Sequence, residues 1–368
     1  MRNFFATLLL LFSITLVHAQ GIVFHEVSLD EAMKMAKTDN KMVFVDCYTS
    51  WCVPCKQMVK NIFPLQECGD YMNDKFISIK KDMESEEGKV ILNDYNVKVF
   101  PTYLIIKPSG ELQYSFSGSM SLEEFIDKVE SGIAQKKSSD ELIAAYNSGN
   151  PSKEDLYNYL IFLHNRSDTR AMEPVLEEVK TKLTTADKCT EEYWEFMEVT
   201  TDLGFIANNY DAIKVGVSAS TLEGSIPSIA DSYIYNQIRY EARNLPYDNY
   251  AQMAANLKVV GLDNDAFLAY AKAADACCSG DYKQCMEMAL DVMDQLDPSH
   301  QITTLRFVSF ILPKEKNETT FAEVTKFIAE YKSHMGKYEE DMQSGFDNIV
   351  KMLNNYSDPN AQPLTSSH

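Results

Sequence analysis

Apolar residues follow two different patterns along the chain. Up to about residue 134, short apolar runs of strand length alternate with segments in which apolar residues recur every three or four positions. The run over residues 41–47 is apolar on both faces, which is typical of a central strand. We therefore expect an α/β domain over residues 20–134 in the order βαβαβαββα, with strands over 24–27, 41–47, 76–80, 102–106 and 111–116.

The second pattern begins after a short polar segment at residues 135–139, which is predicted to be a linker. Apolar residues then recur at helical spacing almost without interruption, and we expect about ten helices between breaks at residues such as Pro151, Pro227 and Pro298. This predicts an all-helical domain over residues 140–356. The polar, proline-containing tail over 357–368 is expected to be disordered.

One part of the helical region has a more specific pattern. Residues 280–298 resemble the second helix of a tetratricopeptide repeat in the spacing of their small, aromatic and proline positions. The first helix of such a pair matches poorly, and no second copy follows at the repeat period. A tetratricopeptide-like domain and an ordinary helical bundle therefore both stay open.

The N-terminus predicts export. A short positive start is followed by an apolar run over residues 4–17 and by a small-residue cleavage site at 17–19. The run is too short to span a bilayer, so residues 1–19 are predicted to be a cleaved signal peptide. No later stretch reaches membrane-spanning length, and we expect a periplasmic or secreted protein without a membrane span in its mature chain.

Composition excludes one class of partner. The formal net charge is -20 at pH 7 and the pI is about 4.7. A surface of this sign repels phosphate backbones, and no basic stripe interleaved with aromatic residues offsets the repulsion. We therefore expect no nucleic-acid binding. The histidines are scattered without ligand spacing, so no metal or other cofactor is expected either.

The clearest chemistry lies in residues 51–56, Trp-Cys-Val-Pro-Cys-Lys, directly after the predicted central strand. A cysteine at the start of a helix faces unpaired backbone N–H groups and the positive end of the helix dipole, where a thiolate is favoured. Pro54 suits the first helical turn. We expect Cys52 to be the nucleophile and Cys55, one turn later, to resolve the mixed disulfide that Cys52 forms.

These residues, together with Asp46 and the segment Phe100-Pro101-Thr102, give residues from about 24 to 134 a resemblance to exported thioredoxin-like proteins. The resemblance implies a thioredoxin fold, a central mixed sheet flanked by helices. It implies that Asp46 is the buried proton acceptor for Cys55. Lys80 is its expected charge partner, although a shift of one residue would exchange Lys80 for Lys81.

The same resemblance implies where a substrate binds. Pro101 is expected to follow a cis peptide bond beside the dithiol, so that the backbone before it pairs with a substrate strand. Trp51, Pro54 and Phe100 are expected to complete the substrate-binding surface. Val-Pro between the cysteines, where typical members have Gly-Pro, is a departure that bears on the redox potential.

The remaining cysteines allow other interpretations. Cys47, Cys52, Cys55 and the later Cys68 match the spacing of plant-type iron–sulfur ligands. The strand and helix context argues against a cluster, because the sulfurs would point in different directions, and Cys47 is expected to be a buried thiol. In the helical region either Cys277 or Cys278 could pair with Cys285, or all three could be free.

Together these features predict an exported thiol–disulfide oxidoreductase. It would exchange disulfides with protein thiols or disulfides and depend on an upstream redox partner. No histidine lies between the cysteines, which by resemblance favours the reductase or isomerase-reducing direction. The alternative is a helical partner-binding scaffold in which the thioredoxin fold is mainly structural.

Overall fold

The computed structural model describes residues 21–238, 247–312, 318–334, 343, 346–351 and 353. The predicted signal peptide and C-terminal tail lie outside these residues. The chain forms two compact units, of which the first ends at Thr184 and the second begins at Thr185.

Between residues 21 and 184, the first unit contains four strands and eight helices. The strands are β1 Met42–Tyr48, β2 Phe76–Asp82, β3 Thr102–Ile106 and β4 Leu112–Ser117. The helices are α1 Leu29–Asp39, α2 Val53–Asn61, α3 Gln66–Asn73, α4 Glu86–Asp94, α5 Leu122–Ala134, α6 Ser139–Asn147, α7 Lys153–Asn165 and α8 Thr169–Lys182. The strand predicted over 24–27 is reduced to a single bridge between Phe24 and Ser78.

The strands form one mixed sheet in the order β2-β1-β3-β4. β1 pairs in parallel with β2 and antiparallel with β3, and β3 pairs antiparallel with β4. β1 is thus an inner strand, and its residues 43–47 are all buried. This explains why its sequence is apolar on both faces: neither face meets water.

An aromatic cluster fills one side of this sheet. The ring of Tyr103 lies 5.7 Å from that of Phe44, 5.0 Å from Phe116 and 5.6 Å from Phe125, measured between centroids. Phe125 belongs to α5, so these contacts hold that helix against β1, β3 and β4. Each such ring stabilises the fold by about 1.5–3 kcal/mol through burial alone.

The segment predicted as a linker belongs to the first unit. Ser138 caps α6 in a capping box with Glu141, and the buried Ser139 donates a hydrogen bond from Oγ to the carbonyl of Gln113 in β4, 3.2 Å away. Asp140 accepts the N–H of Leu112 at 2.9 Å. The segment is polar because it caps a helix and covers an edge strand, and the compact units divide at Thr184 instead.

The second unit is helical in its described residues. Its α-helices are α9 Thr185–Lys188, α10 Glu195–Thr200, α11 Leu203–Asn208, α12 Tyr210–Gly216, α13 Ala219–Gln237, α14 Tyr250–Val259, α15 Asp265–Cys278, α16 Tyr282–Val292, α17 Pro298–Ile311 and α18 Glu318–His334. A disulfide between Cys277 and Cys285 joins α15 to α16, and Cys278 is free. Across the part of the chain that the structure describes, no helix is both long and apolar enough to cross a membrane.

The contact between α5 and β4 gives a stability prediction. A Cβ atom on Gly132 would lie 2.4 Å from Cδ1 of Tyr114, whereas one on Gly224 in α13 would meet nothing within 4 Å. We expect Gly132→Ala to lower the free energy of unfolding by about 1–3 kcal/mol, because the ring cannot move away. Urea unfolding followed by circular dichroism measures this.

Gly224→Ala is the matched control, since it adds the same methyl group to a helix interior. It should raise the free energy of unfolding by up to about 1 kcal/mol through helix propensity. Equal effects of the two substitutions would contradict the packing of α5 on Tyr114.

Candidate active site

The dithiol lies after the end of β1, at the beginning of α2. Cys52 caps the N-terminus of α2, and its Sγ accepts the N–H of Cys55 at 3.1 Å. The two residues form a disulfide with their Cα atoms 5.3 Å apart, and each is only 3% exposed. The first turn of α2 contains no acidic residue. On reduction, negative charge on Cys52 Sγ is therefore favoured by the helix dipole and by the N–H of Cys55.

Asp46 is buried in β1, the strand that leads to the dithiol. Its side chain is 1% exposed, and neither carboxyl oxygen has a hydrogen-bond partner among the described residues. Burial raises the pKa of this carboxyl from 3.8 to about 7, because charge is costly away from water, while the nearby Lys80 acts in the opposite direction. Asp46 can therefore gain or lose a proton near neutral pH.

The structure distinguishes the two lysines of β2. Lys80 is the register partner of Asp46, and its Nζ lies 3.8 Å from Asp46 Oδ2. Lys81 Nζ instead donates to the carbonyl of Val27 and to Glu87 Oε2, both at 2.7 Å. Since neighbouring residues of a strand point to opposite faces, only one lysine can face the carboxyl group, and it is Lys80.

Pro101 stands at the beginning of β3, after a cis peptide bond with Phe100. Its carbonyl accepts the N–H of Gly118 at 3.0 Å, which ties it to the end of β4. Thr102 Oγ1 donates to the carbonyl of Val99 at 2.8 Å. The segment before the proline is thus held by hydrogen bonds on both sides of the cis bond.

An exposed apolar surface adjoins the dithiol. Trp51 and Val53 are each 63% exposed, and the Trp51 ring packs edge-to-face on Phe100 with centroids 6.0 Å apart. Large exposed apolar side chains in one place mark an interaction surface. Pro54, in the first turn of α2, is also exposed.

Glu84 is a site residue that the sequence did not reveal. Its Oε1 accepts the indole N–H of Trp51 at 3.2 Å, and its Oε2 lies 3.4 Å from the Ser50 hydroxyl that donates to it. It lies in an acidic turn after β2, where nothing distinguishes it from its neighbours in the sequence. Only the tertiary structure shows that it orients Trp51.

The two other cysteines of this domain lie apart from the dithiol chemistry. Cys47 is fully buried in β1, and burial raises the pKa of its thiol well above the usual value. Cys68 is buried in α3 within the aromatic core, where burial raises the pKa of its thiol to about 12. A raised pKa keeps both thiols protonated at neutral pH. They are therefore unreactive, because the thiolate is the nucleophilic form.

A dithiol at a helix N-terminus, a buried carboxyl group in the preceding strand and a cis-proline at the start of an inner strand define a thioredoxin-fold redox domain. Residues 29–133 match the family model of the thioredoxin-like domain. This part of the chain is therefore a thioredoxin-like domain, as its sequence pattern predicts.

Known proteins are similar in sequence over about a third of the chain. Thioredoxin Y of Oryza sativa chloroplasts is 33% identical over 110 residues, which cover 30% of this chain and 60% of that protein. The thiol:disulfide interchange protein DsbD of Pseudomonas fluorescens is 26% identical over 119 residues, which cover 32% of this chain and 20% of that protein. The chain thus spans 60% or less of these two relatives.

A solved structure also resembles about a third of the chain. A proposed disulphide-isomerase of Bacteroides thetaiotaomicron is 40% identical, and the match covers 32% of this chain and 98% of that chain with a TM-score of 0.30.

The raised pKa of Asp46 predicts a pH-dependent stability. The Asp46 carboxyl group binds its proton more tightly in the native state than in the unfolded chain, so the proton stabilises the fold. This contribution is fully present below about pH 4 and is lost as the pH rises through about 7. We expect oxidised Asp46→Asn to be more stable than the wild type above pH 7 by on the order of 2–4 kcal/mol, since one pKa unit is about 1.4 kcal/mol. Denaturant unfolding between pH 4 and pH 8 measures the difference.

Asp127→Asn is the control for this experiment, because it removes an exposed carboxyl group from α5. It should leave the pH profile unchanged. A stability difference for Asp46→Asn that is the same at pH 4 and pH 8 would contradict the burial of a titrating carboxyl group.

Proposed function

We propose that this protein is an exported thiol–disulfide oxidoreductase that exchanges disulfides with protein substrates through Cys52 and Cys55. The observation that carries the proposal is the Cys52–Cys55 disulfide at the N-terminus of α2, with Cys52 Sγ accepting a backbone N–H. The names of the relatives support it, since both a thioredoxin and a thiol:disulfide interchange protein match this domain.

Exchange in the reducing direction begins with the reduced dithiol. The Cys52 thiolate attacks a substrate disulfide, forming a mixed disulfide and releasing one substrate sulfur, which takes up a proton. The Cys55 thiol then gives its proton to the Asp46 carboxylate and attacks Cys52 Sγ. The second substrate sulfur leaves, and two electrons have passed to the substrate, leaving the Cys52–Cys55 disulfide.

Asp46 suits the second step because its pKa is about 7. A group that accepts a proton works best when its pKa is close to the working pH. Its partner Lys80, 3.8 Å away, stabilises the negative form and keeps the carboxyl group from being permanently protonated. The pair therefore supports proton transfer in both directions of the exchange.

The substrate binds on the apolar surface formed by Trp51, Pro54, Phe100 and Pro101. An extended substrate segment pairs with the backbone before Pro101, and its side chains contact the exposed rings. Glu84 fixes the Trp51 indole through a hydrogen bond, so this part of the surface is ordered before the substrate arrives.

In this proposal the protein acts outside the cytoplasm as a reductase or as the reducing partner of disulfide isomerisation. The Cys52–Cys55 disulfide formed in each cycle must then be reduced again, so an upstream dithiol protein is required. The helical unit, with its tetratricopeptide-like segment at 280–298, recruits a partner or orients the substrate.

Substitution of the two cysteines tests the chemistry. We expect Cys52→Ala to abolish the reduction of insulin disulfides, because the nucleophile is lost. Cys55→Ala should instead accumulate mixed disulfides with native substrates, visible on non-reducing gels, because the resolving thiol is lost. Cys278→Ser, which removes a half-buried thiol of the helical unit, is the control. It should reduce insulin at the wild-type rate and accumulate no mixed disulfides.

The same variants decide between this proposal and a partner-binding scaffold. If Cys52→Ala reduces insulin as fast as the wild type while partner binding persists, the thioredoxin fold serves a structural role and the enzyme proposal is wrong.

The direction of exchange predicts a redox potential. We expect the Cys52–Cys55 couple to equilibrate with glutathione at a value closer to the about -270 mV of thioredoxin than to the about -120 mV of a strong oxidant. Titration of the purified protein against glutathione buffers, read by thiol labelling, measures the potential. A value near the about -120 mV of a strong oxidant would show that the protein introduces disulfides into its substrates.

A further inference from the structure

Helices α7 and α8 meet in a turn that contacts the loop before the cis-proline. We call residues 165–168 the α7–α8 corner and residues 95–101 the proline loop. The corner lies more than thirty residues beyond the end of the family model at residue 133. It belongs to the same compact unit as the dithiol.

Arg166 makes the most direct contact between the two segments. Its Nη2 donates hydrogen bonds to the carbonyls of Tyr95, at 2.8 Å, and Asn96, at 2.5 Å. The side chain is 7% exposed and its guanidinium stacks on Phe162 of α7, 5.2 Å from the ring centroid. A buried guanidinium that donates to two successive carbonyls holds the backbone of the proline loop in one position.

Asp168 makes the second contact. Its Oδ2 lies 2.7 Å from Lys98 Nζ, in the same loop, and the aspartate is 7% exposed while the lysine is 47% exposed. Asp168 also caps α8 by accepting the N–H of Ala171 at 3.4 Å. The ion pair therefore joins the proline loop to the start of a helix, which is a rigid point of attachment.

The corner also contacts the other side of the cis-proline, through the end of β4. Ser117 Oγ donates to the carbonyl of Asn165 at 3.3 Å and lies 3.1 Å from Ser167 Oγ. The next residue, Gly118, donates its N–H to the Pro101 carbonyl. The residues on both sides of Phe100 and Pro101 are thus connected to one turn of the helical extension.

We propose that the α7–α8 corner positions the proline loop for substrate docking, with Arg166 and Asp168 as positioning residues that do not touch the substrate. This rests on the proposed exchange of protein disulfides. A loop that is already held in place loses less conformational freedom when a substrate strand pairs with it, so a substrate chain binds more tightly. None of the hydrogen bonds and ion pairs described above for the corner involves Cys52 or Cys55, so the dithiol should keep its chemistry.

The test compares a protein disulfide with a small one in the full-length protein. We expect Lys98→Met to raise KM for insulin about fivefold, which is the upper end of what a partly exposed ion pair usually contributes. Arg166→Lys should raise it about tenfold, since an ammonium group lacks the flat face that stacks on Phe162 and the fixed N–H geometry with which Nη2 donates to both carbonyls. The kcat, the rate with 5,5′-dithiobis(2-nitrobenzoate) and the equilibrium with glutathione should stay within about twofold of wild type.

Lys137→Met is the matched control. Lys137 pairs with Asp155 at 2.5 Å, with side chains 49% and 11% exposed, and so resembles the Lys98–Asp168 pair but lies away from the proline loop. It should leave KM unchanged. Lys98→Arg, which keeps the ion pair, should restore the wild-type KM.

Three results would overturn the inference. If Lys98→Met and Arg166→Lys behave like Lys137→Met, the corner does not position the loop. If the rates with insulin and with the small disulfide fall together, the contacts serve only the stability of the fold. If the wild-type protein reduces neither substrate, the proposed function itself is wrong, and the inference fails with it.

Discussion

Desolvation of one carboxyl group in the central strand is the constraint on which the site depends. Asp46 lies in β1 between Val45 and Cys47, which are both apolar and buried. A charge there is costly, so folding raises the pKa of the group to about 7. The parallel pairing of β1 with β2 brings Lys80 within 3.8 Å and limits that cost. The strand thus gives up stability to keep in its interior the carboxyl group that the proposed function uses as a proton acceptor.

The sequence predicts the parts of this arrangement that are set by local pattern. The run over 41–47 identifies the inner strand, because its apolar residues fall on both faces. Cys52 and Pro54 mark the beginning of α2 through capping preferences that act within one turn. Pro101 directly precedes β3, at the entry to a strand rather than within a turn. These inferences hold because each depends on residues adjacent in the chain.

Contacts between distant segments could not be predicted in the same way. Lys80 and Lys81 are chemically identical, and only the register of β1 with β2 selects the one that faces Asp46. The predicted linker has the polar composition of a solvated segment, yet Ser139 is buried against β4. Arg166 bonds to carbonyls 70 and 71 residues away, and no local pattern separates it from an exposed arginine.

The position of Arg166 changes where the redox unit ends. The backbone carbonyls of Tyr95 and Asn96 obtain hydrogen-bond partners from Arg166 in the α7–α8 corner. The edge of β4 likewise obtains partners from Ser139 and Asp140. A chain that ended at residue 134 would leave both sets of groups to water or to other chains. Helices α6–α8 are therefore structural parts of the thioredoxin-fold unit, and its boundary lies at Thr184 rather than at the end of the family model.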